Sequence, residues 1–168
     1  MGVKRMNYCI NGEWVPSKTD KYMPITDSST GEVIAEVPSC TKEEVLAAIA
    51  SAQEAFPAWS AMSISKRTQY MFTWRDILIK HKEELSQLCA KELGKTIGEA
   101  RGDVQKAIEP TELACAIPDL LQGETSMNVT TGYDTATYKA PLGVVAGIVP
   151  MNFPAMIPWG WMVPVAIA

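Results

Sequence analysis

Histidine is nearly absent from this sequence, because His81 is the only one among its 168 residues. The sequence also lacks any C-x-x-C pair, and its four cysteines are widely scattered, at Cys9, Cys40, Cys89 and Cys115. A structural zinc site or a catalytic cysteine–histidine pair is hard to assemble from so few ligands. We therefore predict that the chain has no metal site and that its thiols are free and reduced, as in a cytoplasmic protein.

An excess of positive charge is absent as well. The chain has 15 Lys and Arg residues against 19 Asp and Glu residues, which gives a net charge of −4 and an isoelectric point near 5.1. Such a balance supplies no basic surface for nucleic acid or an anionic membrane, so neither is an expected partner. The first residues, MGVKRMNYCINGEW, contain no apolar core of a secretory signal. With 47% hydrophobic and 20% charged residues, the composition predicts a globular cytoplasmic protein.

The last stretch, Pro141 to Ala168, contains no charged residue at all. About 20 apolar residues can span a bilayer, so its length alone would permit a transmembrane helix. Proline argues against such a helix, because each one removes a backbone donor or crowds the preceding turn. The prolines of this stretch are Pro141, Pro150, Pro154, Pro158 and Pro164. We therefore predict that it is buried in the core of a globular protein.

The same stretch divides into three pieces. Leu142 to Val149 is apolar on both faces and rich in β-branched residues, which predicts a buried parallel strand covered by helices. Met151 to Pro154 predicts a turn, and Met156 to Ala168 an apolar run that enters a helix despite its prolines. Ligands of doubly wound sheets bind beyond the carboxyl ends of strands, so Asn152 lies where chemistry is expected. The alternative is that this asparagine only forms a turn or caps a helix.

Three other segments predict β structure. Tyr8 to Val15 alternates around Asn11-Gly12, a dipeptide suited to a type I′ turn, so it predicts a β-hairpin. Glu32 to Val37 predicts a strand with Val33, Ala35 and Val37 on one face. Met127 to Ala140 is polar and rich in residues that favour strands, and it predicts a polar strand pair. Such a pair must find a sheet edge or lie on the surface.

Three helical regions are predicted between these segments. Two of them begin at capping boxes, which are Thr41 with Glu44 and Thr96 with Glu99. The region between them runs from near Ser63 or Ser65 to Gly94, and its apolar stripe passes on or beside His81, which predicts a structural histidine. Pro110 predicts a kink or a split in the last region. One face of the first helix carries Val45, Ile49, Ala52 and Phe56, and one side of the last is lined by Val104, Ile108, Thr111 and Cys115.

The string PLGVVAGIVPMNFPAMIP closely resembles the segment of the aldehyde dehydrogenase superfamily that carries its active-site asparagine. It is most similar to the CoA-acylating methylmalonate-semialdehyde dehydrogenases, whose motif reads proline, an aromatic residue, then Asn-Phe-Pro. Here Met151 replaces the aromatic residue. STGEVIAEVP also resembles the family's opening strands, and ELGKT matches the family's E-x-G-K pattern. The resemblance covers essentially the whole chain but only the N-terminal third of the family.

The resemblance implies an α/β fold, the N-terminal part of a Rossmann-like NAD-binding domain with small β elements, helices and a polar bridging hairpin. Residues 1–126 would form the hairpin and helical part, 127–140 oligomerisation-type strands, and 141–168 the first buried strand and helix start of the nucleotide-binding core. The usual G-x-G-x-x-G fingerprint is missing, so NAD is implied by the resemblance and not by a motif. The implied cofactor contacts are Val149, Pro150, Met151 and Asn152.

The resemblance also implies a reaction. In the family a cysteine thiolate attacks the aldehyde, the residue matching Asn152 holds the oxyanion together with a backbone N–H, and hydride passes to NAD. The thioester is then released to CoA with loss of the malonate-type carboxylate, or to water in hydrolytic members. None of the four cysteines matches the context of the nucleophile, which is expected beyond Ala168. We therefore expect the 168-residue chain alone not to oxidise an aldehyde.

Two lysines are interpreted differently. Lys106 matches a position at which methylmalonate-type enzymes usually carry Arg to hold the substrate carboxylate, and lysine keeps the charge without the bidentate fork. The alternative for Lys106 is an exposed helix lysine. Lys95, within ELGKT, is interpreted as a solvent-facing charge with no role in the chemistry.

The polar strand pair is the expected contact with other subunits. The family pairs this region with another subunit, which implies a homo-oligomer, either a dimer or a tetramer. An ordinary surface hairpin is the alternative. Two other functions stay open at this point: a hydrolytic dehydrogenase for another aldehyde, and a truncated, non-catalytic module that joins full-length subunits.

Overall fold

Helices form the centre of an α/β fold, and short strands flank them. The computed structural model describes residues 3–168. The described strands are β1 Lys4–Arg5, β2 Tyr8–Ile10, β3 Glu13–Val15, β4 Tyr22–Thr26, β5 Val33–Pro38, β6 Thr125–Thr130 and β7 Tyr133–Ala136. The α-helices are α1 Lys42–Ala61, α2 Ile64–Lys80, α3 Lys82–Leu93, α4 Ile97–Ala114, α5 Ile117–Leu120 and α6 Val163–Val165. A π-helix at Met156–Met162 leads directly into α6.

The N-terminal strands form two small sheets. The predicted hairpin is confirmed, since β2 pairs antiparallel with β3 and Tyr8 lies opposite Val15. Asn11 and Gly12 have φ values of 52° and 78°, as a type I′ turn requires. The strand predicted from Glu32 is confirmed as β5, which pairs parallel with β1 and antiparallel with β4.

Helix α1 begins at the predicted capping box. The Glu44 N–H donates to Thr41 Oγ1 at 3.3 Å, and the Thr41 N–H donates to the Glu44 carboxylate at 2.7 Å. The Ser17 hydroxyl and the Lys18 N–H also donate to this carboxylate, both at 2.7 Å. These bonds, that of Lys18 first, lower the pKa of Glu44 below its ordinary value of 4.5. One buried carboxylate thus fastens the connection between β3 and β4 onto α1.

The helix predicted from Thr41 is confirmed as α1, but the apolar row on its one face is largely exposed. Val45 and Ile49 retain 50% and 42% of their accessible surface. They line an open groove together with Val144 and Val145. Periodicity predicts which side of a helix is apolar, but burial needs a second surface, and beside this row the described residues leave the groove open.

The core is built around α4, which packs against α2, α3 and the π-helix. Four of its buried residues repeat at helical spacing, Ala100, Val104, Ala107 and Ile108, of which Val104 and Ile108 were predicted to share one side. Leu78 of α2, Cys89 of α3 and Ala155 complete the same cluster. A smaller cluster joins Met71 of α2 to Ile167 near α6. The π-helix is therefore seated on the most buried face of the molecule.

Helix α4 continues past its internal proline. It begins at the predicted capping box of Thr96 and Glu99 and runs to Ala114 as one helix, so of the predicted kink or split at Pro110 the split does not occur. Proline removes one backbone donor and crowds the preceding turn. Thr111, the residue directly after this proline, is fully buried, and its hydroxyl donates to the Ala107 carbonyl within the helix. This packing holds the last turn in place.

The helical region predicted to run unbroken to Gly94 is two helices that meet at His81. This residue ends α2 and precedes α3, and its Nδ1 atom lies 2.9 Å from Glu84 Oε2 in the first turn of α3. Gly94 then ends α3 with a φ of 66°, as predicted. The contacts of His81 are those of a structural residue at a helix junction.

The apolar segment over residues 142–149 is irregular, so the prediction of a buried parallel strand is wrong for the described structure. Leu142 and Ile148 are almost fully exposed, at 95% and 102% of their reference surface. A strand is stabilised by hydrogen bonds to a neighbouring strand. No strand of residues 3–168 lies beside this segment. Its β-branched composition alone is therefore insufficient to make it a strand.

The turn and the helix predicted after this segment are present. The turn occupies residues 151–155, and the π-helix follows it. Pro158 cannot donate a backbone hydrogen bond, but its carbonyl accepts one from the N–H of Val163, five residues further on. This wider register lets the helix continue through a sequence rich in proline.

A close backbone contact seats the π-helix on α4. Gly160 is buried against Ala107, and a Cβ atom added at Gly160 would lie only 2.6 Å from Ala107 Cα. Beside this contact, the indole N–H of Trp74 donates to the carbonyl of Trp159 at 3.1 Å. Both contacts fix the helix that follows the candidate site.

The polar strand pair predicted over residues 127–140 is present as the hairpin of β6 and β7. Thr125 pairs with Ala136, and Thr130 pairs with Tyr133. Every residue of both strands is exposed. Within residues 3–168, no helix has both the length and the apolar character needed to cross a bilayer.

Candidate active site

The turn that carries Asn152 is held at its backbone by a side chain from another part of the chain. Lys95 follows the left-handed residue that ends α3, and its ammonium donates to the Asn152 carbonyl at 2.7 Å. The same nitrogen lies 4.5 Å from the ring centroid of Phe153, a distance typical of a cation–π contact. One lysine therefore contacts two successive residues of the turn.

The interpretation of Lys95 as a solvent-facing charge is wrong, because its side chain is only 22% exposed. Its nitrogen also lies 3.6 Å from Asp103 Oδ2. The sequence contained a first signal that Lys95 is not an ordinary surface lysine. It stands immediately before the capping box of α4 and outside the exposed face of any helix. Its position in the E-x-G-K pattern was a second signal.

Asp103 holds the other end of the turn. Its Oδ1 atom accepts a hydrogen bond from the N–H of Met156 at 3.0 Å, and its side chain is 1% exposed. The Oδ2 atom has no hydrogen-bond partner among the described residues, so the ammonium of Lys95 is the cation that compensates its charge. Sequence reasoning missed Asp103, although it lies between Ala100 and Ala107 at the spacing of the buried face of α4.

The side chain of Asn152 takes no part in these anchors. It is exposed, and its amide makes no hydrogen bond within residues 3–168. A fixed backbone with an uncommitted side-chain amide is suited to donate a hydrogen bond to an anionic oxygen. The other predicted cofactor contacts also lie at the surface, with Val149 37% and Met151 79% exposed. Pro150 is exposed between them.

The candidate substrate residue Lys106 lies on the exposed side of α4. Its ammonium is 2.7 Å from Glu109 Oε2, one helical turn further on, and this bond lowers the pKa of that glutamate. The structure does not bring Lys106 into hydrogen-bond contact with the Asn152 turn within the described part of the chain.

Of the four cysteines, two are held in surroundings that oppose ionisation. Burial, followed by the charge of Asp103, raises the pKa of Cys89 to about 11, and burial also raises the pKa of Cys115. A thiol with a raised pKa is a poor nucleophile at neutral pH. No group of three His, Cys, Asp or Glu side chains that could hold a metal ion gathers within residues 3–168.

Comparison with known protein families identifies the class to which this fold and this turn belong. The model of the aldehyde dehydrogenase family matches residues 14–168. The chain belongs to the aldehyde dehydrogenase family.

Within this family, the chain is similar to dehydrogenases named for malonate or methylmalonate semialdehyde. The malonate-semialdehyde dehydrogenase of Listeria monocytogenes serotype 4a is 44% identical over 166 residues, which are 99% of this chain and 34% of that protein. The crystal structure of methylmalonate-semialdehyde dehydrogenase from Oceanimonas doudoroffii is 38% identical with a TM-score of 0.88, over 99% of this chain and 33% of that one. A Sinorhizobium meliloti protein assigned as a methylmalonate-semialdehyde dehydrogenase, solved with NAD, is 31% identical with a TM-score of 0.91. The match covers 99% of this chain and 34% of that one. The chain thus has the fold of the N-terminal portion of these enzymes and spans about a third of their length.

Proposed function

We propose that this chain is the N-terminal portion of an NAD-dependent, CoA-acylating dehydrogenase of malonate or methylmalonate semialdehyde. The observation that carries the proposal is Asn152, whose side-chain amide is exposed on a turn that is fixed at both ends. Relatives named for these two semialdehydes support the choice of substrate, since they match 99% of the chain.

In the proposed reaction, a cysteine thiolate supplied from outside residues 3–168 attacks the aldehyde carbon. The carbonyl π electrons move to oxygen, and the amide N–H of Asn152 stabilises the resulting oxyanion. Bound NAD would supply the oxidising power by accepting the hydride that leaves this carbon. Residues Val149–Asn152 fit such a group, because they are exposed and combine apolar side chains with an amide and no charge. The substrate carboxylate then leaves as CO₂, and the electron pair of the broken C–C bond takes up a proton at the α carbon. The acyl group finally passes from the cysteine to the thiol of CoA, which releases the cysteine thiolate.

Lys106 is the proposed partner of the substrate carboxylate. It is already paired with a carboxylate, that of Glu109, so substrate would replace one anionic partner with another. We further propose that the exposed hairpin of β6 and β7 adds its edge to another subunit, giving a dimer or a tetramer.

The experiment that tests the function uses the protein encoded by the complete reading frame containing these residues. It is supplied with NAD and either semialdehyde, with and without CoA, and NADH is followed by absorbance while acyl-CoA is followed by chromatography. The proposal predicts NADH formation that depends on CoA, with acyl-CoA in equal amount. NADH formation without CoA, yielding a free acid, supports the hydrolytic alternative. No NADH with any aldehyde contradicts a dehydrogenase function and favours the oligomerisation module.

A further inference from the structure

We infer that Lys95 is a positioning residue that, together with Asp103, sets the direction of the Asn152 amide. The inference rests on the proposed function for its kinetic consequence, but its structural consequence can be measured without any activity. Lys95 itself is not proposed to touch substrate or cofactor.

The ammonium of Lys95 makes several contacts at once. A lysine ammonium has three donors and no acceptor. Here it donates to the carbonyl of Asn152 at 2.7 Å, faces Asp103 Oδ2 at 3.6 Å and lies over the ring of Phe153 at 4.5 Å. Its position is therefore fixed by three groups that surround it.

The buried carboxylate of Asp103 depends on Lys95 for its counter-charge. Asp103 is 1% exposed, and an uncompensated charge at such a depth is strongly unfavourable. Lys95 is the cation within 4 Å of this carboxylate in the described part of the chain. The aspartate holds the lysine in place by charge, while its other oxygen accepts the Met156 N–H at 3.0 Å. The pair therefore holds the turn by hydrogen bonds on both sides of Phe153-Pro154, at the Asn152 carbonyl and at the Met156 N–H.

Anchoring of the turn bears on the chemistry of the Asn152 side chain. The contacts are made to backbone atoms of the turn, and the side chain of Asn152 is left exposed. Fixing the carbonyl of a residue restricts the rotation of its peptide units and so the direction of its side chain. A displacement of about 1 Å in a reacting group can cost about 100-fold in rate. Loss of the lysine should thus reduce kcat without removing a group that binds substrate.

The test compares Lys95→Met and Lys95→Arg with a matched control, Lys91→Met, which removes an exposed lysine of α3. Hydrogen exchange of the complete protein is measured by mass spectrometry over residues 151–157 and over the α4 core at 104–111. Its kcat and its KM values for NAD and for the semialdehyde are measured alongside. We expect Lys95→Met to speed exchange several-fold more over 151–157 than over 104–111, and to lower kcat about 10- to 100-fold with the KM values for NAD and for the semialdehyde within about two-fold. Lys95→Arg should restore part of both losses, and the control should change neither.

A double variant, Lys95→Met with Asp103→Asn, separates positioning from stability. It removes both charges, so no uncompensated carboxylate is left in the interior, and the amide that replaces the carboxylate keeps an oxygen that can accept the Met156 N–H. We expect its melting temperature to recover towards that of the wild type while exchange over 151–157 stays fast and kcat stays low. Recovery of kcat with recovery of stability overturns the inference, because it shows a merely structural role.

Three other results also overturn it. Unchanged exchange over 151–157 in Lys95→Met shows that the lysine does not hold the turn. Exchange that rises equally over 104–111 shows general destabilisation. A KM for NAD that rises while kcat is constant assigns the lysine to cofactor binding. If the wild-type protein oxidises no aldehyde, the proposed function fails, and the exchange comparison still decides whether Lys95 holds the turn.

Discussion

Replacing Gly160 by alanine tests the seating of the π-helix, because the added methyl has no space. Its carbon would lie 2.6 Å from Ala107 Cα and 2.8 Å from the Ala107 carbonyl oxygen. Carbon atoms pack at about 3.5–4.0 Å, so the two backbones must separate by about 1 Å. Inserting an extra carbon into a packed core costs about 1–3 kcal/mol. In a domain of this size each kcal/mol lowers Tm by about 2–4 °C, so we expect a loss of about 2–12 °C.

The matched control for this prediction is Gly102→Ala in the middle of α4. No atom lies within 4 Å of the methyl that this change adds, and the position is exposed. Alanine is favoured over glycine inside a helix by about 0.5–1 kcal/mol, so Tm should rise slightly. Thermal unfolding followed by circular dichroism measures both variants. A Gly160→Ala protein as stable as the wild type would refute the close contact and the seating derived from it.

Two further predictions concern the N-terminal strands and the hairpin. Glu44→Gln should lower Tm at pH 7. The pKa of Glu44 is depressed in the folded state, so the contribution of its carboxylate to stability is full above the ordinary value of 4.5 and is lost as the pH falls through the lowered value. The Tm difference between the variant and the wild type should therefore shrink in acid. A Tm difference that is constant with pH contradicts this prediction. Val129→Lys on β6 should reduce the mass of the complete protein's oligomer measured by light scattering. Leu113→Lys, at another exposed apolar position, is the control and should leave that mass unchanged. An unchanged mass for both variants would show that the hairpin is not the subunit contact.

Local signals in the sequence predict local structure well in this chain. The capping boxes at Thr41 and Thr96 predict where α1 and α4 begin, because their hydrogen bonds join residues only three positions apart. Asn11-Gly12 predicts the first hairpin for the same reason, since a type I′ turn requires two adjacent residues with positive φ. The turn containing Asn152 was likewise predictable from its flanking prolines.

Features that depend on distant partners were predicted poorly. The segment over 142–149 has the composition of a buried strand, but strand pairing is a long-range interaction and no neighbouring strand is described. The apolar row of α1 is exposed for a similar reason. Lys95 and Asn152 are 57 residues apart in sequence, so their contact could not be read from spacing. The role of Asp103 could not be predicted for the same reason, because its partner Met156 is 53 residues away in sequence.

The central claim is that Asn152 stabilises the oxyanion from a turn that the fold holds rigid. It is tested most directly by the rate of NADH formation in a single turnover of the complete protein, comparing Asn152→Ala with the wild type. Asn7→Ala, an exposed asparagine near the N-terminus, is the control and should keep the wild-type rate. Loss of one oxyanion donor lowers this rate by about 100- to 1,000-fold, and that is the predicted result. A single-turnover rate within a few-fold of the wild type would contradict the claim.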